Sequence, residues 1–146
     1  EAARGVVPMD GGSMMMVVAT DAPILSRNLD RLSKRAMMGI ARAGSVAHNS
    51  SGDYVIAFST NEDVRRDRGA SAPVPSKTLN NASMSPLFNA VVEAIQESVY
   101  NAMLKAETVT SSRGTLEAID VEKVKEIIEK YHVTNYDKNI SPGFVE

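Results

Sequence analysis

The sequence contains no cysteine. That excludes disulfides and thiolate metal sites, and it leaves the redox compartment uninformed. Histidine is scarce: only His48 and His132 are present. No Ser-His-Asp signature accompanies them, and two histidines without cysteine make a poor zinc set. A lone histidine of this kind is more often a polar tip at the surface than a catalytic group. No apolar run is long enough to span a bilayer, and no secretory signal is visible. If the chain is the C-terminal part of a longer precursor, that says nothing about export, so cytoplasmic and periplasmic locations both stay open. Charge of either sign is not in excess: the net is −2. Neither nucleic acid nor a membrane is implied as a partner. Internal repeats and low-complexity tracts are absent.

What is present is ordinary for a globular protein. Of the 146 residues, 43% are hydrophobic and 23% charged. That is one domain's length, enough to bury a core. The eight methionines are many for this size. Met14-Met15-Met16 and Met37-Met38 suit irregular gaps in a core better than a cofactor box.

The stretch Gly11-Gly12-Ser13 followed by Met14 to Ala19 and Thr20-Asp21-Ala22-Pro23 organises the rest. Two glycines permit a sharp turn and close approach. The apolar run has strand length and predicts a strand buried on both faces. One hydroxyl, Ser13, is thereby presented where the chain enters the core. Read alone, Gly-Gly-Ser before a strand is only a turn.

A helix then carries Leu29, Leu32, Ala36, Ile40 and Ala43 on one stripe, with Arg27, Asp30, Arg31, Lys34, Arg35 and Arg42 mostly off it. Gly39 inside it suggests close packing, and Gly44 a left-handed C-terminal residue. A polar loop with His48 leads through Ser51-Gly52-Asp53 into a second strand, Tyr54 to Thr60. Residues 61–83 read as a long loop. Ser85-Pro86 opens a helix buried through Phe88, Val91, Val92, Ile95, Val99, Ala102 and Met103 and ending near Ala106. Residues 108–114 read as a turn-rich link. Asp120 caps a last helix with Val121, Val124, Ile127, Ile128 and Tyr131 on one stripe, and His132 closes it. The rest reads as a tail.

Gly12-Ser13, the strand, Ala19-Thr20-Asp21-Ala22-Pro23, the basic amphipathic helix, and Ser51-Gly52-Asp53 opening Tyr54-Val55-Ile56-Ala57-Phe58-Ser59-Thr60 together resemble one family. It is that of the self-processing serine aminopeptidases, the L-aminopeptidase D-Ala-esterase/amidase and β-peptidyl aminopeptidase type. The resemblance runs from about Gly11 to about His132. It implies an α+β fold, a four-layer α/β/β/α sandwich of the N-terminal-nucleophile kind, completed by an upstream segment. It divides the chain into a linker before the cleavage site (1–12), a nucleophile-bearing β-subunit portion of one domain (13–132) and a tail (133–146).

The family opens its precursor between the residues matching Gly12 and Ser13. As the sequence is written that bond is intact, so Ser13 has no free α-amine. Once opened, one residue supplies nucleophile and base, because an α-amine of pKa about 7.7–8.0 is partly unprotonated near neutrality. Attack of the same hydroxyl on the Gly12 carbonyl, an N-to-O acyl shift, accounts for self-cleavage. The resemblance adds Ser51 and Asp53 as supporting catalytic groups: Ser51 relaying a hydrogen bond to the amine or hydroxyl of Ser13, and Asp53 favouring the cationic amine or orienting Ser51. If the strand began at Ser51, both would share a face. Many relatives carry Glu where Asp53 stands, one methylene longer. On the residues alone, Ser50-Ser51-Gly52-Asp53 is a turn.

The implied activity is release of an N-terminal residue from small peptides, amides or esters through an acyl-enzyme on Ser13. No metal or organic cofactor is implied. The implied partners are the upstream α-subunit of the same precursor, a peptide or aminoacyl amide substrate, and further copies in an oligomer of αβ units. Key oxyanion donors come from the upstream portion in this family, so this chain alone is expected to be inactive. Two rival readings remain. One is a self-processing acyltransferase of the ornithine acetyltransferase type, whose nucleophile is Thr rather than Ser. The other is an inactive binding descendant of the fold.

Overall fold

A computed structural model describes residues 12–69, 71–73, 75–131 and 133. The expected linker up to Gly11, the tail from residue 134 and His132 therefore lie outside the described residues. The chain divides into two compact units, Glu1–Tyr100 and Asn101–Glu146.

The first unit is built on a strand–helix–strand crossover. β1 (Met15–Thr20) and β2 (Tyr54–Ser59) pair in parallel, with Met15 opposite Tyr54 and Thr20 opposite Ser59. Parallel neighbours need a long connection, and α1 (Ser26–Arg42) provides it. Its stripe falls as the spacing predicts: Leu32, Ala36, Gly39 and Ile40 are buried. Gly44 follows with φ +103°, the left-handed geometry that favours glycine there. The N-cap is Leu25, with no side-chain cap.

Two short 3₁₀ turns, Glu62–Val64 and Asn81–Met84, punctuate the region read as loop. Asn61 and Asn80 cap them, each accepting from the amide two residues on. The second turn runs directly into α2 (Ser85–Leu104), so Asn80 takes the capping role expected of Ser85. Val91 and Ile95 of α2 are buried with Met16, Ile24, Leu32, Ala36, Ile40 and Met84. Phe88, Val92 and Val99 pack around them, whereas Ala102 and Met103, expected on the buried face, are exposed. Arg31 and Arg35 both lie over the Phe88 ring, 4.8 and 3.5 Å from its centre, so part of the basic face of α1 is spent on packing.

The helices meet at Gly39. A Cβ there would stand 2.6 Å from Ile95 Cβ and 2.8 Å from the Val92 carbonyl oxygen. Backbone cannot swing aside as a side-chain tip can. Gly39→Ala therefore gains about 1 kcal/mol of helix propensity but forces an overpacked crossing. We expect a net loss of about 2 kcal/mol, read as a lower denaturation midpoint of the full-length protein; an unchanged midpoint would refute the crossing.

The sheet departs from expectation on one face. Met16 is 4% exposed and Val18 and Val55 pack on the same core. The alternate residues do not: Met15, Val17, Tyr54, Ile56 and Phe58 are 64%, 63%, 63%, 56% and 43% exposed. Among the described residues β1 is thus covered on one face only. A continuous apolar run says that both faces avoid water, and the described residues supply one of the two covers.

The second unit holds a feature that turn chemistry hid. Residues read as a link form a hairpin, β3 (Val109–Ser111) with β4 (Gly114–Leu116), antiparallel around a two-residue turn. Gly114, at φ +125°, makes that turn possible. α3 (Val121–Lys130) follows, and Asp120 Oδ1 accepts from the Lys123 amide at 3.0 Å as its expected cap. Among the described residues no helix is long and apolar enough to cross a membrane.

Candidate active site

Parallel pairing sets the beginnings of β1 and β2 side by side, 39 residues apart in sequence. Carrying the register two residues back brings Ser13 beside Gly52. The Gly52 amide donates to Ser13 Oγ at 3.0 Å. That contact occupies an oxygen lone pair and leaves the hydroxyl proton free to point elsewhere. Gly52 is small where smallness counts: a Cβ on it would lie 3.4 Å from Ser13 Oγ.

Ser51 sits next to the bond ahead of Ser13. Its Oγ is 2.5 Å from the Gly12 carbonyl oxygen and 2.8 Å from Asp53 Oδ2. A hydroxyl has one proton, so it donates to one of these acceptors at a time. Asp53 is fixed on its other side, where Oδ1 accepts from the Met14 amide at 2.8 Å. The Met14 carbonyl in turn accepts from the Tyr54 amide at 3.0 Å. Every group around the Gly12–Ser13 bond is therefore tied to β1 or to the start of β2. Gly12 and Ser13 are exposed, and Ser51, Gly52 and Asp53 are half-buried.

β2 begins at Tyr54, so Ser51 and Asp53 do not share a face by strand alternation. They meet through the preceding turn, closed by the Ser51 amide donating to the His48 carbonyl. The Ser51 hydroxyl reaches the Gly12 carbonyl and Asp53. The contact to Ser13 Oγ comes from the Gly52 amide, which a reading of side chains could not find. His48 itself is exposed on the loop. Among the described residues, no group of three His, Asp or Glu is placed to hold a metal.

The other family-like block is structural. Ser59 Oγ donates to the Ala22 carbonyl at 2.6 Å, Asn61 Nδ2 to the Asp21 carbonyl at 2.8 Å, and the Thr60 amide to the Thr20 carbonyl at 2.8 Å. These bonds lock the far ends of the two strands. The near ends, with Ser13 and Asp53, are thereby held in register.

The sequence model of Peptidase family S58 matches residues 1–117. The chain belongs to peptidase family S58. Within S58 it is 38% identical over 130 residues to the beta-peptidyl aminopeptidase BapA of Sphingosinicella microcystinivorans, covering 88% of this chain and 32% of that protein. The L-aminopeptidase D-Ala-esterase/amidase of Ochrobactrum anthropi, described as a prototype serine aminopeptidase with a variant of the Ntn hydrolase fold, superposes with a TM-score of 0.72 at 35% identity. That match covers 80% of this chain and 33% of that one. The PH0078 protein of Pyrococcus horikoshii OT3 superposes with a TM-score of 0.73 at 38% identity, over 82% of this chain and 34% of that one. This S58 chain thus spans about a third of the length of the curated relatives it matches.

Proposed function

We propose that this chain is the nucleophile-bearing portion of an aminopeptidase that opens its own Gly12–Ser13 bond and then uses Ser13 to release N-terminal residues from small peptides, amides or esters. The observation that supports it most is the arrangement around that bond: a hydroxyl donor on the Gly12 carbonyl and an amide donor on Ser13 Oγ.

In the first step Ser13 Oγ attacks the Gly12 carbonyl carbon. The Ser51 hydroxyl, turned toward the carbonyl, stabilises the negative charge that develops on its oxygen. The C–N bond breaks, the Ser13 nitrogen takes up a proton, and an ester joins Gly12 to Ser13 Oγ. Water hydrolyses that ester, which frees Gly12 as a carboxylate and Ser13 with both hydroxyl and α-amine. Loss of the Gly12 carbonyl leaves Asp53 as the partner of the Ser51 proton. The α-amine then serves as base for the adjacent hydroxyl when a substrate carbonyl takes Gly12's place. The acyl group is held as an ester on Ser13 while the amine leaves, and a second water releases it.

The bare sheet face fits the rest of this reading. Burying a side chain such as Met15, Val17, Ile56 or Phe58 is worth about 1.5–3 kcal/mol each. An upstream portion of the same precursor, laid over that face as a second sheet, would complete an α/β/β/α sandwich and supply further oxyanion donors. Among the described residues the edge of β1 away from β2 is also unpaired, and it opens on a groove of about 240 Å³ lined by Val17, Ala19, Leu87, Ala90 and Ala94. Copies of the completed αβ unit would then associate into the oligomer.

Hydrolysis of an aminoacyl p-nitroanilide tests the dependence on the upstream portion. The portion from Ser13 onward, expressed with the upstream portion, is expected to hydrolyse it. Expressed alone it should lose activity at least 100-fold, the scale of one missing oxyanion donor (about 10²–10³). Equal activity in the two preparations would contradict the shared site.

A further inference from the structure

We infer that Tyr54 sets substrate preference, its ring forming a wall against which the side chain of the released residue lies. The inference rests on Ser13 being the nucleophile and adds a residue to that reading.

Tyr54 opposes Met15 in the sheet register. Met15 is two residues past Ser13, and strand alternation returns a chain to the same face every second residue. The Tyr54 ring and the Ser13 hydroxyl thus stand on the same, uncovered side. Their nearness has a direct measure at Gly52. A Cβ built there would lie 3.4 Å from Ser13 Oγ and 3.5 Å from Tyr54 Cε2. Both atoms border one small volume, and Gly52 leaves it empty. The Tyr54 side makes it apolar and the Ser13 side makes it reactive.

Tyr54 stands at the Ser13 end of the bare face, where the space beside Gly52 opens. It is 63% exposed. On β2 the other apolar side chains of this face lie farther from Ser13. At about 3.3 Å per residue, Ile56 is roughly 7 Å and Phe58 roughly 13 Å beyond it.

Gly12 shows how large an acyl residue must be to meet the wall. Its carbonyl carbon is the first that Ser13 would acylate with, so Gly12 occupies the place of a substrate's released residue. A Cβ on Gly12 would touch nothing within 4 Å. A methyl group is therefore indifferent to this part of the site, and contact begins with longer side chains. The substrate class follows: N-terminal residues with an extended apolar side chain, of leucine size or larger, favoured over glycine and alanine.

The test compares glycyl, alanyl and leucyl p-nitroanilides on the full-length, self-processed protein. The readout is the ratio of kcat/KM for leucyl to glycyl substrate, in which any loss of folded or processed enzyme cancels. Hydrophobic pocket contacts discriminate by about 10–200-fold per group. Tyr54→Ala should lower the leucyl/glycyl ratio about tenfold and leave the alanyl/glycyl ratio within about twofold. Tyr54→Phe should keep the wild-type ratio, because the ring and not the hydroxyl forms the wall. An unchanged ratio in Tyr54→Ala, or an equal fall in Tyr54→Phe, overturns the assignment. Failure of the underlying reading looks different: hydrolysis would then survive Ser13→Ala.

Discussion

Ser13→Ala is expected to leave the full-length protein as a single uncut chain with no hydrolytic activity. The substitution removes one oxygen, exposed just ahead of β1 and held, among the described residues, by the Gly52 amide. No core contact goes with it, so the protein should fold with an unchanged denaturation midpoint. What is lost is the atom proposed to attack Gly12 and, later, the substrate. The effect is therefore complete rather than graded: a hydroxyl nucleophile has no nearby substitute, since Ser51 is already committed to the Gly12 carbonyl and Asp53. Ser13→Cys separates position from element. It keeps a nucleophile on the same carbon, and should still cut before residue 13. A cut, active Ser13→Ala protein would remove Ser13 from the chemistry.

Ser51→Ala has the second largest expected effect. Its hydroxyl is the donor that the Gly12 carbonyl oxygen receives among the described residues. In the proposed cleavage, charge builds on that oxygen as the tetrahedral intermediate forms. Removal of one such preorganised donor typically slows the step about 10²–10³-fold, or roughly 3–4 kcal/mol of barrier. Cutting of the precursor should therefore slow by that factor, followed as the decay of the uncut band over time. Ser51→Thr keeps the hydroxyl and should recover much of the rate. If Ser51→Ala matures as fast as wild type, the contact to Gly12 is incidental to cleavage.

Much of this was open to a reader of the sequence, and the limits have physical causes. Strand and helix periods placed β1, α1, β2 and α2, because each presents an apolar face to one core, and the apolar stripe of α3 placed that helix although none of its residues is buried. Gly39 and Gly44 were legible because a glycine within a helix lowers its stability unless a neighbour packs close, and one just past its end frees the chain to turn left-handed. Ser13, Ser51 and Asp53 came from a resemblance, and only folding shows how they meet. Two strands paired in parallel put residues 13 and 52 together, and the contact runs through a main-chain amide that no side-chain motif encodes. The three-residue strands of the β3–β4 hairpin are too short for a period to register. The double burial expected of β1 failed for a different reason. A continuous apolar run reports that both faces avoid water, and says nothing about which chain covers them. Asn80 displaced Ser85 as a cap because a 3₁₀ turn precedes α2, a local choice that Ser-Pro alone does not reveal.

The most direct measurement is the denatured mass of the full-length wild-type protein, with the N-terminal sequence of its smaller fragment. Two masses are expected, the smaller beginning Ser13-Met14-Met15 with a free α-amine. A single uncut mass in a preparation that nonetheless hydrolyses aminoacyl amides, or a cut at any other bond, would contradict the N-terminal serine mechanism.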